Sequence, residues 1–236
     1  MQPLTYYKLR VFPYLVRNEE FCNYLRKKGI LLGKKAKFFE PGNVFIDVSR
    51  PELLKIGAYC KISRGVTILT HDYSRSVLRR VYGEVIGDGA TVEIGENVFI
   101  GMNAIILMGA HIGNNVIVGA GSVVNGYVPD NVVVAGNPAR VVKTLDEFYH
   151  QRKEKSLIEA KNFFLEKEKR AGRIPLISEM DPWFPLFLER DIRQLKKNHI
   201  FTNLSGDEEE EVISFFLQSA PVFKNYEEFI EWCHSE

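Results

Sequence analysis

A period of six residues through 92–125 constrains this chain more than any other feature in it. Ile94, Ile100, Ile106, Ile112, Val118 and Val124 stand six apart, and each is a branched apolar residue. A second register runs two residues ahead, at Val92, Val98, Ala104, Ala110, Val116 and Ser122, all small or branched. The same pair of registers occurs earlier as Leu54/Ile56, Cys60/Ile62 and Val66/Ile68, and less regularly as Ala36/Phe38 and Val44/Ile46. A period of six fits neither an amphipathic helix nor a simple alternating strand. It fits a short strand and a turn, repeated, which coil into a parallel β-helix with three flat faces and about eighteen residues per coil. Each repeat buries one or two side chains and cannot form a core alone. Stacked coils bury a continuous apolar column and pair their backbones from coil to coil. Gly95, Gly101, Gly113 and Gly119 follow four of the anchors and read as turn residues, free of steric cost in unusual backbone conformations. The expected class is mostly β.

Charge divides the chain. Residues 1–143 carry 18 Lys/Arg against 11 Asp/Glu, about +7, and residues 144–236 carry 13 against 19, about −6. Three domains are therefore expected. Residues 1–29 form a helical cap, with Asn18 capping a helix that ends at Gly29 and covers the open first coil. Residues 30–143 form the β-helix, whose period breaks at Arg50-Pro51 and again over 71–85, a loop carrying Arg75, Arg79 and Arg80, before the repeats return at 86. An extended exit segment follows over 130–142. Residues 144–236 form a helical C-terminal extension: Thr144 and Glu147 read as a capping box for a helix to about 171, Ser205 and Glu208 as another for a helix over 206–218, and Asn225 opens a last helix.

Basic charge of this density suits a small anionic ligand and excludes a nucleic-acid partner, which needs a denser stripe. No apolar run reaches the eighteen or so residues of a membrane span, and the N-terminus lacks the uninterrupted apolar segment of a signal peptide, so no membrane insertion is expected. Cys22, Cys60 and Cys233 are odd in number and form no CxxC, which indicates reduced thiols in a cytoplasmic protein and no zinc cluster. Cys60 falls on an inward register and reads as a small core residue.

His71 stands where the period breaks and a polar loop begins. Imidazole is the usual general base at neutral pH, and the residues alone leave His71 open between that role and an exposed loop histidine. Asp47, Asp72 and Asp88 are each candidates to orient it. His111 lies between two inward positions and should point outward. No G-x-S-x-G, H-E-x-x-H or dinucleotide motif occurs, and no metal is expected.

The block NVFIG…GAGSVV…VPDNVVVAGNPARVVK within 94–143, with GVTILTHD around His71, closely resembles the hexapeptide-repeat acyltransferases, nearest to the galactoside, maltose and capsular-polysaccharide O-acetyltransferases. The resemblance covers about residues 54–143. It implies a left-handed β-helix, an exception to the right-handed crossover rule, and a homotrimer with sites between neighbouring subunits. It implies acetyl-CoA as donor and a sugar or glycan acceptor, with His71 as the base and the Met102 N–H as oxyanion donor. Ala120 and Asn125 match positions that line the pantetheine arm, and Gly126 is a further expected coenzyme-binding residue. Arg140 and Lys143 match the residues that meet its phosphates, and Phe99 stands where a tryptophan is common beside the reacting centre. The N-terminal coils do not carry the sugar-contacting asparagine and aspartate pattern of the galactoside and maltose enzymes. The alternatives are a xenobiotic (antibiotic) acetyltransferase of the same fold and a non-catalytic β-helix subunit.

Overall fold

A computed structural model describes residues 15–200 and 206–235. The chain divides into two compact units, Met1–Phe148 and Tyr149–Glu236.

The first unit is a stack of three-sided coils. Face one is a parallel ladder of Leu31–Leu32, Leu54–Ile56, Val92–Ile94, His111–Ile112 and Tyr127–Val128. Face two runs through Lys37–Phe38, Lys61–Ile62, Phe99–Ile100, Ile117–Val118 and Val132–Gly136, and face three through Phe45–Ile46, Thr67–Ile68, Ile105–Ile106 and Val123–Val124. Both sequence registers point inward: Ile94, Ile100, Ile106, Ile112, Val118 and Val124 are at most 4% exposed, and their partners two residues ahead at most 1%. Most strands are two residues long, because each face must turn before a third inward side chain can fit. The mostly-β expectation is therefore corrected in content: the described residues are 39% helix and 18% strand, since β-helix coils are largely turn and the helices lie outside them.

The glycines of the period do a different job from the one expected. Gly95, Gly101, Gly113 and Gly119 do not adopt positive φ. That conformation falls to Asn97 (φ 55°), Asn103 (58°) and Asn115 (55°) at the corners, where a short polar side chain tolerates the left-handed region. Gly95 is needed for close approach: a Cβ there would lie 2.6 Å from the Gly113 carbonyl oxygen of the next coil. Asn97, Asn115 and Asn131 form a side-chain ladder up one corner, each amide donating to the next at 2.9 Å.

A helix over Asn18–Lys28 (α1) closes the first coil, burying Phe21, Cys22 and Leu25, with Phe21 edge-on to Phe38 at 4.9 Å. Its N-cap is Arg17. Asn18 instead accepts from the Phe38 N–H at 2.7 Å and donates to the Ala36 carbonyl at 3.3 Å, tying helix to coil. Gly29 ends the helix in the left-handed region (φ 104°). The part of the expected cap over residues 1–14 lies outside the described residues.

The repeats resume at Val92 rather than 86, and the intervening excursion contains a helix over Arg75–Tyr82 (α2). The exit segment is not one extended run. Val132–Gly136 turns at Asn137–Pro138 and pairs antiparallel with Ala139–Thr144, which forms the edge of face two.

The second unit has its own core. A helix over Leu145–Ala171 (α3) opens with the reciprocal Thr144–Glu147 cap and ends at Gly172. Helices follow over Ile192–Lys197 (α4), Glu209–Gln218 (α5) and Tyr226–His234 (α6). Glu208 caps α5, so it begins later than expected from Ser205, which lies outside the described residues. Asn225 caps α6, accepting from the Glu228 N–H at 2.9 Å. Phe164, Phe184, Phe187, Phe216, Phe223 and Phe229 form an aromatic core with Met180, Leu195 and Cys233. Among the described residues no helix is long and apolar enough to cross a membrane.

Candidate active site

Face three of the second full coil ends at Ile68, and the chain leaves the solenoid soon after. His71 stands at that exit, its side chain 13% exposed. Its Nδ1 lies 2.6 Å from Oδ2 of Asp47. The pairing of Ile46 with Ile68 sets this geometry. Asp47, one residue past Ile46, donates its N–H to the Ile68 carbonyl at 3.0 Å and so sits beneath the exit. The carboxylate is buried and filled with donors. Oδ1 accepts from the Ser49 N–H at 3.0 Å and Oγ at 2.7 Å; Oδ2 accepts from Thr70 Oγ1 at 2.5 Å and the Thr70 N–H at 3.3 Å. Burial alone would raise its pKa, but the hydrogen bonds from Thr70, Ser49 and His71 outweigh burial and hold Asp47 well below the usual carboxylate range. An ionised carboxylate only accepts. Nδ1 therefore carries the proton and donates, and in the neutral ring Nε2 is the nitrogen with the lone pair. Such a group can take a proton from a hydroxyl and hold the resulting imidazolium against Asp47.

Of the three carboxylates the sequence left open, Asp47 takes the imidazole. Asp72 accepts from the Ser74 N–H at 2.8 Å. Asp88 accepts from the Asp72 N–H at 3.2 Å and pairs with Arg75 and Arg50, joining the two ends of the excursion. Thr70 and Ser49 were missed. The Asp47-x-Ser49 spacing is a recognisable local turn pattern, but nothing in the sequence placed it beside residue 71 across a coil.

A second group lies on face two. Its outward row runs Lys61, Phe99, Ile117, Val133 and Lys143 from strand to strand. Arg140 opposes Ala135 while Lys143 opposes Val133, with an irregularity between Val133 and Val134. Because Val133 and Ala135 share a face, Arg140 and Lys143 do too. Plain alternation would put residues 140 and 143 on opposite faces, and the bulge unites them. One strip thus carries the exposed Phe99 ring at one end and two cations at the other, three strand spacings or roughly 14 Å apart. It suits an extended ligand with an anionic end. Met102, 46% exposed, occupies the corner between faces two and three, stacked beneath Ala120 and Gly121, whose N–H donates to the Met102 carbonyl at 2.8 Å. Among the described residues the Met102 N–H has no acceptor, and neither does the stacked N–H of Ala120, so this corner presents donors outward.

One chain does not bring the two groups together. His71 stands at the corner between faces three and one, and Asn125 and Gly126, both exposed, continue the column of Leu69 and Thr70 two coils further on. Met102 lies at the opposite edge of face three, roughly 20 Å along it. His111 is on the outward row of face one between Glu93 and Tyr127, apart from His71. Among the described residues no group of three His, Cys, Asp or Glu is placed to hold a metal. Cys60 is fully buried, and burial pushes its thiol up to about 11.

Residues 91–126 match the family model described as bacterial transferase hexapeptide (six repeats). Protein CapG of Staphylococcus aureus is 38% identical over 139 residues, 59% of this chain and 80% of that protein. A protein of Escherichia coli, provisionally named as the lipopolysaccharide biosynthesis O-acetyl transferase WbbJ, is 31% identical over 159 residues, 60% of this chain and 80% of that one. Galactoside O-acetyltransferase of Escherichia coli is 45% identical over 56 residues, 24% of this chain and 28% of that enzyme.

Proposed function

The chain belongs to the hexapeptide-repeat acetyltransferase family, and from that premise we propose that it is an acetyl-CoA-dependent O-acetyltransferase acting on a hydroxyl of a sugar or glycan precursor in the cytoplasm. The observation that carries this reading is the imidazole of His71, held by the buried Asp47 carboxylate at 2.6 Å with Nε2 left as a base. In the proposed reaction Nε2 takes the acceptor's hydroxyl proton while that oxygen attacks the acetyl carbonyl. The tetrahedral oxyanion accepts from the Met102 N–H, an interaction typically worth about a hundredfold or more in rate. Collapse breaks the C–S bond, and the proton on Nε2 passes to the departing coenzyme sulfur. Asp47 steadies the imidazolium in between.

The donor would lie along the outward strip of face two, its phosphates at Arg140 and Lys143 and its thioester near Phe99 and Met102, passing Ala120. His71, Asn125 and Gly126 occupy a different corner. The site is therefore read as formed between protomers, one supplying the His71 corner and the next the Met102 corner, in a homotrimer of left-handed coils. The separation of the two corners across face three supports that reading, and the activities for which the relatives are named support the acceptor class.

The test is thermal melting at fixed protein concentration with and without acetyl-CoA. Ligand at a hundred times its dissociation constant adds about 2.7 kcal/mol to the folded state. A rise that shrinks in Arg140→Ala/Lys143→Ala supports the donor site and leads to a sugar acceptor panel. No rise at saturating ligand overturns the reading.

A further inference from the structure

The excursion that begins at His71 carries a feature the proposed chemistry does not use. On α2, Val77, Leu78, Val81 and Tyr82 fall within about 140° of one another on a helical wheel. All four are exposed, at 62%, 40%, 66% and 70%. Tyr73 before the helix and Val85 after it are 74% and 87% exposed. No residue of α2 is buried, so among the described residues of the first unit its apolar face has no partner. Arg79 and Arg80 stand on the polar side, one about 60° beyond each margin of the apolar face. Arg75 is taken by Asp88, but among the described residues neither Arg79 nor Arg80 has a carboxylate partner.

We propose that α2 is an interfacial element that seats the excursion on an anionic lipid surface, so that the hydroxyl reaching His71 belongs to a lipid-anchored acceptor. The layout fits that occupant. An apolar face beds into the headgroup boundary while arginines at both margins extend to lipid phosphates. Tyrosine at each end matches the preference of amphipathic rings for that boundary. Eight residues span about 12 Å, so α2 lies on the surface and does not cross it. Its base is fixed to the coil by the Arg75–Asp88 and Arg50–Asp88 pairs, which holds the element three residues from Asp72 and four from His71. One short helix binds weakly. Several copies on one oligomer bind with avidity. The proposal rests on the acetyl-transfer reading for the acceptor's identity, but the surface docking is measurable without it.

The experiment is co-sedimentation of the full chain with vesicles of phosphatidylcholine alone and of phosphatidylcholine with about one third phosphatidylglycerol, at low and high salt, with the oligomeric state and the melting shift with acetyl-CoA recorded in parallel. The expected result is pelleting with the anionic vesicles only, falling severalfold at high salt. It should be lost in Val77→Asp/Val81→Asp and reduced severalfold in Arg79→Gln/Arg80→Gln, with oligomer and acetyl-CoA shift unchanged in both. Absence of pelleting of the unsubstituted protein overturns the proposal, as does equal pelleting of Val77→Asp/Val81→Asp. Dissociation of the oligomer in that variant also overturns it, since the face would then be a contact between copies. A missing acetyl-CoA shift with pelleting intact would count against the acetyl-transfer reading alone.

Discussion

Replacing Asp47 by asparagine tests the proposed base assignment without disturbing the strip proposed to hold the coenzyme. In the native site Oδ1 takes two donors from Ser49, at 3.0 and 2.7 Å, and Oδ2 takes His71 Nδ1, Thr70 Oγ1 and the weaker Thr70 N–H at 3.3 Å. The asparagine oxygen is expected to face Ser49, because the shorter bond from a fixed backbone N–H is the harder one to lose. The amide nitrogen then stands before Nδ1 and donates to it. Nδ1 becomes the acceptor, the proton moves to Nε2, and the lone pair needed for catalysis disappears. A general base is worth about 10²–10⁴ in rate, and a wrong tautomer forfeits that factor. The stability cost should be only about 1–3 kcal/mol, the range for weakening hydrogen bonds to a charged group. The assay pairs kcat on the proposed sugar acceptor with nitrogen chemical shifts of His71, which report the tautomer directly. The expected result is kcat reduced a hundredfold or more, KM for acetyl-CoA nearly unchanged, and a change from the Nδ1–H to the Nε2–H form. A kcat within threefold of native, with the tautomer reversed, would refute the base assignment. An unreversed tautomer would refute the account of how Asp47 positions the ring.

The same carboxylate predicts an acid limb in stability. Its folded pKa is depressed, so its contribution is complete above the ordinary value of about 4 and is lost as pH falls below that toward the folded pKa; melting curves of Asp47→Asn from pH 6 to pH 2 should fall less steeply than native ones. Ile106→Ala removes a fully buried anchor and should cost about 2–5 kcal/mol in denaturant melts; a cost under about 1 would contradict the packed column. Gly95→Ala forces a Cβ to 2.6 Å from a backbone carbonyl, whereas at Gly121 (φ 68°) the added Cβ meets open space and only left-handed strain. Gly121→Ala should cost about 1–2 kcal/mol and Gly95→Ala more, and the reverse order would show that backbone conformation governs the period. All three cysteines are buried and free of disulfides, with Cys60 pushed to about 11 and Cys233 to about 12 by burial, so a thiol reagent at pH 8 should label none in the native protein and three after denaturation.

The inward columns were legible because a coil is a local object. Six-residue spacing fixes which side chains point inward whatever stacks above or below, so Ile94 through Val124, their partners two residues ahead and the break at His71 could all be read directly. The Thr144–Glu147 and Asn225 caps were legible for the same reason, since a cap joins residues three apart. What pairing between coils decides could not be read. Asp47 is 24 residues from His71, and only the alignment of Ile46 with Ile68 chooses it over Asp72 and Asp88. The period's glycines looked like turn formers because the atoms each must admit belong to the next coil. Arg140 and Lys143 share a face only because the hairpin past Gly136 carries a bulge, a property of two strands in register and of neither alone. The opposition of the His71 and Met102 corners across face three likewise belongs to the closed coil. Residue type and short spacing determined the solenoid and its candidates; strand register, which depends on contacts distant in sequence, determined what each candidate touches.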